Sequence, residues 1–286
     1  MPKPSIDFDK YLKRIPTHSQ QLPVESGVPH RHYERSANDA WNLLIYMERN
    51  IQQVNVYPAS YERHIRRLST MVLLGIVEAF ERFLKEIAAE CINHVANCVL
   101  DDRLEVFSVR GNVVAAHFAQ ANLGRALCES LTWCDCDETN KRLRRILADP
   151  FDPGNFYVFP RPNQQPPALR DRYDLMSLIW QLRHTIAHNT GVITSSDAQK
   201  FRLLTQGSVD SPRMLWPTKG DVWYVKLFLD ETVELINREV GSRLAVLLTT
   251  LHNADASLFV PAEKAQSLAD LFGMPSTISG HTCQPA

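Results

Sequence analysis

A long run of helically spaced apolar residues in the first half of the chain constrains the fold more than any other feature. Between residues 60 and 100 the apolar side chains recur every three or four positions, which places them on one face of an α-helix. The members of this seam are Leu68, Val72, Ile76, Phe80, Phe83, Ile87, Cys91 and Val95. Gly75 interrupts it at a cost of about 1 kcal/mol. The pattern predicts the longest helix of the chain, with one face in a core.

The opposite face of this segment carries charges at a spacing of four residues. The pairs are Glu78 with Arg82, Glu81 with Lys85, and Arg82 with Glu86. Oppositely charged side chains at this spacing are neighbours on a helix surface. We therefore predict surface roles, in preference to catalytic ones, for Glu78 and Glu81.

Helices are predicted over most of the remaining chain. Periodicity and capping residues indicate helices at about 34–53, 113–130, 138–148, 168–189, 196–205, 230–253 and 262–272. Short extended segments are predicted at 156–159 and, because β-branched and aromatic residues dominate it, at 222–229, with Asp230 capping the next helix. The predicted fold class is all-α: an antiparallel bundle of long helices with at most a short strand pair and irregular terminal arms.

The distribution of proline suggests the domain boundaries. Residues 1–34 contain five prolines and little periodicity, which predicts an N-terminal arm. Residues 35–254 form the predicted helical domain, interrupted by a proline-rich loop at 149–168. Residues 255–286 are predicted to be a short helix and a polar tail.

Charge and hydropathy exclude some classes of function. The formal net charge of −1 disfavours strong binding to nucleic acid over the whole surface but permits a local basic site. The densest basic run, residues 141–145, is predicted to be a solvated face, with phosphate contact as the alternative. No apolar run is long enough to span a bilayer, and the N-terminus lacks the apolar core of a signal peptide. We therefore expect a cytoplasmic location and no membrane partner.

Six cysteines leave two interpretations open. Only Cys134 and Cys136 are close in sequence, and a C-x-C pair without a second pair is a weak signal for zinc. Reduced thiols are the favoured interpretation, since buried cysteine behaves as a small hydrophobic residue. We expect no metal and no cofactor.

The candidate functional residues lie near the end of the predicted helix at 168–189. Arg183, His184 and His188 fall within two turns, with the two histidines on one face. The main apolar stripe of this helix consists of Leu175, Leu178, Ile179, Leu182 and Ile186. A second, weaker apolar face consists of Met176, Trp180 and Ala187. A helix that is apolar on two sides contacts two bodies, of which one could be a second subunit.

These side-chain types suit cleavage of RNA. Histidine transfers protons near neutral pH, and arginine holds phosphate through paired hydrogen bonds. RNA carries its own nucleophile, the 2′-hydroxyl. The reaction needs a base near that hydroxyl, an acid near the leaving oxygen and a cation between them. One histidine cannot easily serve both ends, but two copies of His188 across a dimer axis could.

The segment from Arg183 to His188 resembles the R-x4–6-H motif of the HEPN superfamily. The predicted upstream helix, with its acidic and aromatic residues at 77–85, is similar to the first core helix of HEPN proteins, and the resemblance spans roughly residues 36–252. It implies a dimeric all-α bundle whose motifs meet at the subunit interface. Many members are metal-independent endoribonucleases. It also implies that Arg183 and His188 are the catalytic pair, with His184 in an auxiliary polar position.

The leading hypothesis is therefore a HEPN endoribonuclease, active as a homodimer, that serves as a toxin or anti-phage defence effector. Its expected partners are an RNA substrate, a second copy of the chain, and an antitoxin or other regulatory protein. The alternative is a non-catalytic HEPN-like module that binds a protein or nucleotide. A third hypothesis, ranked lower, is a metal hydrolase that uses His184, His188 and cysteines.

Overall fold

The structure is a computed structural model that describes residues 28–53, 58–96, 98, 101–107, 123–129, 131–148, 156–160 and 167–286. The helices in chain order are α1 (Pro29–Gln53), α2 (Pro58–Val95), α3 (Leu123–Cys128), α4 (Cys136–Ile146), α5 (Pro167–Asn189), α6 (Ser195–Thr205), α7 (Lys219–Ala254) and α8 (Pro261–Phe272), with a 3-10 helix at Asp101–Leu104. Two antiparallel strand pairs join β1 (Val192–Ile193) to β2 (Arg213–Met214) and β3 (Ser276–Ile278) to β4 (His281–Cys283). The fold class is all-α, as predicted, with one more strand pair in these residues than expected.

Helix α2 lies at the centre of the fold and contains the apolar seam. Its 38 residues span about 57 Å at 1.5 Å per residue. It contacts α1, α3, α4, α5 and α7, so it is buried on several sides. Every seam residue from Val72 to Val95 is buried, whereas Leu68 is only partly so. The seam prediction is confirmed, although α2 ends at Val95 and not near residue 100.

The prediction of an extended segment at 222–229 is wrong. These residues belong to α7, a single helix of 36 residues. Thr218 caps it: its side chain accepts a hydrogen bond from the backbone N–H of Asp221, and the Asp221 carboxylate accepts one from Thr218 in return. Val222, Lys226 and Leu229 are buried at helical spacing, so tertiary packing overrides the β-propensity of their neighbours.

Asp230 consequently lies inside α7 and does not cap a helix. Its carboxylate accepts a hydrogen bond of 2.9 Å from the hydroxyl of Tyr33 and forms a 2.6 Å ion pair with the ammonium of Lys226. Tyr33 belongs to α1, which begins at Pro29, so residues 29–34 are part of the helical body. The predicted arm at residues 1–27 lies outside the described residues.

The segment at 156–160 packs on the core without forming a strand. Val158 and Phe159 are buried, and Asn140 of α4 satisfies both backbone groups of Phe159. The Asn140 amide donates to the Phe159 carbonyl over 2.7 Å, and its oxygen accepts from the Phe159 N–H over 2.9 Å. The remainder of the predicted loop is outside the described residues until α5 begins at Pro167. The predicted helix at 113–130 is described only from Leu123 onward.

The C-terminal segment is more structured than a polar tail. The β3–β4 pair contacts α8, and β3 also contacts α7. Ile278 is completely buried in the main core. Among the described helices, none is both long enough and apolar enough to cross a membrane.

Candidate active site

The three motif residues lie in the last two turns of α5. The Arg183 guanidinium stacks over the Trp180 ring, with 5.0 Å between its central carbon and the ring centroid. Such contacts stabilise a cation by about 0.5–1 kcal/mol at an exposed site. The Arg183 Nε atom is buried and has no hydrogen-bond partner among the described residues. Because this Nε atom is enclosed, a ligand oxygen would have to accept hydrogen bonds from the rest of the guanidinium, on a side chain that is half-buried.

The two histidines form a ring pair at the end of the helix. The centroids of His184 and His188 are 4.6 Å apart and the rings are inclined by 49°. His184 is half-buried, whereas His188 is exposed. Neither ring nitrogen of His188 has a hydrogen-bond partner in the described part of the chain, so both can contact a ligand.

The motif residues divide into two groups on the helix surface. A spacing of five residues corresponds to a rotation of about 140° around an α-helix, so Arg183 and His188 leave α5 on different sides. The structure therefore brings His184 and His188 together, and it places Arg183 beside Trp180 on a neighbouring face.

The helix ends in a sharp turn that Gly191 makes possible. Gly191 has a φ of 81°, in the left-handed region that favours glycine, and its N–H donates to the Thr185 carbonyl over 3.2 Å. A Cβ at Gly191 would lie 3.3 Å from the Leu215 carbonyl oxygen. Leu215 in turn donates its N–H to the Gly191 carbonyl over 2.7 Å. The predicted helix stop at Gly191 is confirmed.

A buried carboxylate that the sequence analysis missed fixes this helix end. Asp197 of α6 accepts hydrogen bonds from Gln181 (2.9 Å), Asn189 (2.8 Å) and the Thr194 hydroxyl (2.9 Å). Thr194 is the N-cap of α6, with Asp197 as the reciprocal member of a capping box. The T-x-x-D spacing of Thr194 and Asp197 was the signal in the sequence that could have identified this capping box. Asp197 joins α5 to α6 just beyond His188.

The pKa of Asp197 is lower than its ordinary value. Burial by itself raises this pKa, but hydrogen bonds from the backbone and side chain of Thr194 and from Asn189 stabilise the ionised form and outweigh burial. A lowered folded-state pKa stabilises the protein above the unfolded pKa, and that contribution is lost as pH falls through the folded value.

We expect Asp197→Asn to lower the free energy of unfolding by about 2 kcal/mol at pH 7, since several donors lose a charged acceptor. The difference from the unsubstituted protein should be constant above about pH 5 and shrink as pH drops below 3.8, the ordinary value for Asp. Urea unfolding at several pH values measures it. Asp210→Asn, at an exposed aspartate, is the matched control. An equal loss at every pH would show that the carboxylate charge is irrelevant.

Most apolar residues of α5 are covered within the same chain, although Leu175 of the predicted main stripe is 37% exposed. Met176 and Ile179 are buried in the main core, and Trp180 packs against it. Leu178 and Leu182 pack against a smaller cluster of Ile193, Ala198 and Phe201. The face containing Met176 and Trp180 is therefore not available to a second subunit, and only Ala187 of that face is exposed. A dimer remains a prediction, but this face does not support it.

The cysteines have the properties of buried thiols. All six are free, and Cys134 and Cys136 are buried. Burial raises the pKa of Cys136 to about 12 and the pKa of Cys134 well above its ordinary value. The Cys136 thiol donates a hydrogen bond to the Tyr173 carbonyl oxygen, with 3.9 Å between sulfur and oxygen. The described residues contain no group of three or more histidine, cysteine, aspartate or glutamate side chains positioned to hold a metal ion.

Glu81 on α2 and Arg142 in the basic run of α4 both contact the segment that contains Trp133. Glu81 is mostly buried and accepts the Trp133 N–H over 3.2 Å, with Lys85 at 3.6 Å, whereas Glu78 is exposed. Within the basic run, Arg142 is buried, lies 5.2 Å from the Trp133 ring centroid and donates to the Thr132 carbonyl. The prediction of a solvated face therefore fails for Arg142. It holds for Lys141, Arg144 and Arg145, which are exposed.

Comparison with known proteins gives no family assignment. No family model, curated protein or solved structure matches the chain.

Proposed function

We propose that the protein is a metal-independent endoribonuclease of HEPN type, with a composite site built from Arg183, His184 and His188 of two subunits. The observation that carries this proposal is the end of α5. There, a half-buried arginine and a pair of histidine rings 4.6 Å apart lie within two turns. None of these three side chains forms an ion pair with another described residue. They are the groups needed for phosphodiester cleavage through the 2′-hydroxyl.

The reaction assigns one role to each side chain. One His188 removes the proton from the 2′-hydroxyl as its oxygen forms a bond to phosphorus. Arg183 neutralises the negative charge that grows on the phosphoryl oxygens. A second His188 donates a proton to the 5′-oxygen as its bond to phosphorus breaks. The products are a 2′,3′-cyclic phosphate and a 5′-hydroxyl end. His184, in contact with His188, orients that ring.

The homodimer follows from this chemistry. One subunit supplies a single His188, so by itself it lacks either the base or the acid. Two copies of α5 related by a twofold axis would place two histidines and two arginines around one phosphate. A role as a toxin or defence effector, restrained by an antitoxin or other regulatory protein, is the biological context that we propose for such an activity.

The decisive experiment is incubation of the purified protein with RNA in excess chelator. We expect internal cleavage that leaves 2′,3′-cyclic phosphate ends, because the 2′-hydroxyl is the nucleophile. A matched RNA with 2′-O-methyl groups should stay intact. Intact RNA in both arms, or cleavage of the methylated strand, would contradict the proposal. Intact RNA together with a stable complex would instead favour the alternative, a non-catalytic HEPN-like module that binds a protein or nucleotide.

A further inference from the structure

An apolar groove lies beside the motif helix. It is formed by α5, the segment after β2 and the first turns of α7, and its volume is about 320 Å³. Its principal lining residues are Leu182, Leu215, Trp216, Pro217, Asp221 and Tyr224. Leu73 of α2, a residue of the main core, and Val225 also line it, so the groove lies against the surface of the main core beside the exposed Tyr224.

Two aromatic side chains give the groove the character of a stacking site. Tyr224 is 74% exposed although it is a large aromatic residue, and Trp216 is half-buried. The Tyr224 hydroxyl has no hydrogen-bond partner within the described residues. An exposed aromatic ring beside an apolar floor is the arrangement on which unpaired nucleobases stack, since every base has a π-face.

A carboxylate at the groove provides a complementary polar group. The Asp221 Oδ2 atom accepts hydrogen bonds of 2.7 Å from both the N–H and the hydroxyl of Thr218. The Oδ1 atom has no hydrogen-bond partner among the described residues, and Asp221 is exposed. A carboxylate oxygen only accepts hydrogen bonds at neutral pH, so it is complementary to the N–H groups on a base edge.

The groove and the histidines lie near the same end of α5. Leu182 in the groove wall directly precedes Arg183. Leu215, also in its wall, donates its N–H to Gly191, three residues after His188. Leu182 and His188 are about 9 Å apart along the helix axis and about 120° apart around it, so the groove and the histidines face different sides of α5. A strand of RNA that contacts both would have to cross the end of the helix.

The geometry points to a nucleobase-binding site in this groove: a base of single-stranded RNA stacks on Tyr224 and Trp216, with an N–H edge on Asp221. This inference rests on the proposed function for its ligand and adds a specificity site to it. Tyr224 binds the base and takes no part in proton transfer.

The test measures binding separately from cleavage. The probe is a short 2′-O-methyl oligoribonucleotide that contains the fluorescent base 2-aminopurine, which cannot be cut by 2′-hydroxyl attack. Fluorescence anisotropy gives its affinity, and quenching of the 2-aminopurine reports stacking. Tyr224→Ala should weaken binding about tenfold or more and abolish the quenching. Tyr224→Phe keeps the ring and should behave like the unsubstituted protein.

Tyr46→Ala is the matched control, because Tyr46 is an aromatic residue of 64% exposure that does not line the groove. Equal binding and quenching by the Tyr224→Ala variant and the unsubstituted protein would overturn the groove assignment, even if RNA is cleaved. If the unsubstituted protein does not bind the probe, the groove assignment is also overturned. The groove would then be better suited to a side chain of a partner protein. Tyr224-dependent binding without any RNA cleavage would support the groove and contradict the proposed activity.

Discussion

His188→Ala is expected to lower the rate of RNA cleavage by about 10²- to 10⁴-fold, the usual contribution of a general acid or base. The effect should reach the upper part of this range, since one substitution removes both the base and the acid of a composite site. His188 is exposed, so the variant should fold and melt like the unsubstituted protein. Initial rates on a labelled RNA in chelator measure the loss.

His64→Ala is the matched control, because His64 is also an exposed histidine on a helix and lies outside the motif. It should cleave RNA normally. Equal rates for the His188→Ala variant and this control would eliminate His188 as a proton-transfer group. Arg183→Lys should retain part of the activity that Arg183→Ala loses, since lysine keeps the charge but not the planar fork.

Heterodimers test the composite nature of the site. Two differently tagged chains, one unsubstituted and one with His188→Ala, can be co-expressed and purified through both tags in sequence. If one phosphate needs both histidines, the heterodimer should be as inactive as the His188→Ala homodimer. Half of the normal activity would instead show that each subunit carries a complete site.

Trp133→Ala is expected to cause the largest loss of stability, about 3–5 kcal/mol. Trp133 is the largest fully buried side chain among the described residues. Its indole N–H donates to the Cys128 carbonyl over 3.1 Å, and Arg142 stacks on its ring. The substitution leaves a cavity, a Cys128 carbonyl with one hydrogen bond fewer and a guanidinium without its aromatic partner. It removes a large part of the 5–15 kcal/mol that stabilises a typical domain.

Urea unfolding followed by circular dichroism measures this loss, and Trp133→Phe separates its causes. Phenylalanine restores most of the apolar volume but removes the hydrogen bond from the indole N–H to the Cys128 carbonyl, so we expect a loss of about 1–2 kcal/mol. A Trp133→Ala variant with nearly unchanged stability would show that the segment around Trp133 does not contribute to the folding core.

Most elements of the fold could be predicted from the sequence, and the errors fall where packing opposes local preference. The seam of α2 and the stop at Gly191 follow from periodicity and from the left-handed conformation that glycine adopts, so they were predictable. Residues 222–229 are rich in strand-forming side chains, yet they form the first part of α7. The helix forms because Val222, Lys226 and Leu229 are buried together on one side of it. Local residue preferences do not reveal which side chains will be buried.

The candidate site shows the same division. Arg183, His184 and His188 could be identified from their types and spacing alone. Asp197 was missed because its importance depends on three partners, Gln181, Asn189 and Thr194, which come together only when α5 and α6 pack. The buried role of Arg142 was hidden for a similar reason, since a run of basic residues does not reveal which member faces Trp133.

By itself the sequence determined the all-α class, the central helix and the helix end that carries the candidate motif, because these depend on interactions between residues close along the chain. The tertiary structure decided which surfaces are free. It covered the second apolar face of α5 with the chain's own core, left His188 exposed, and formed a groove between α5 and the start of α7. Such contacts join residues far apart in sequence, and their geometry exists only once the helices have packed.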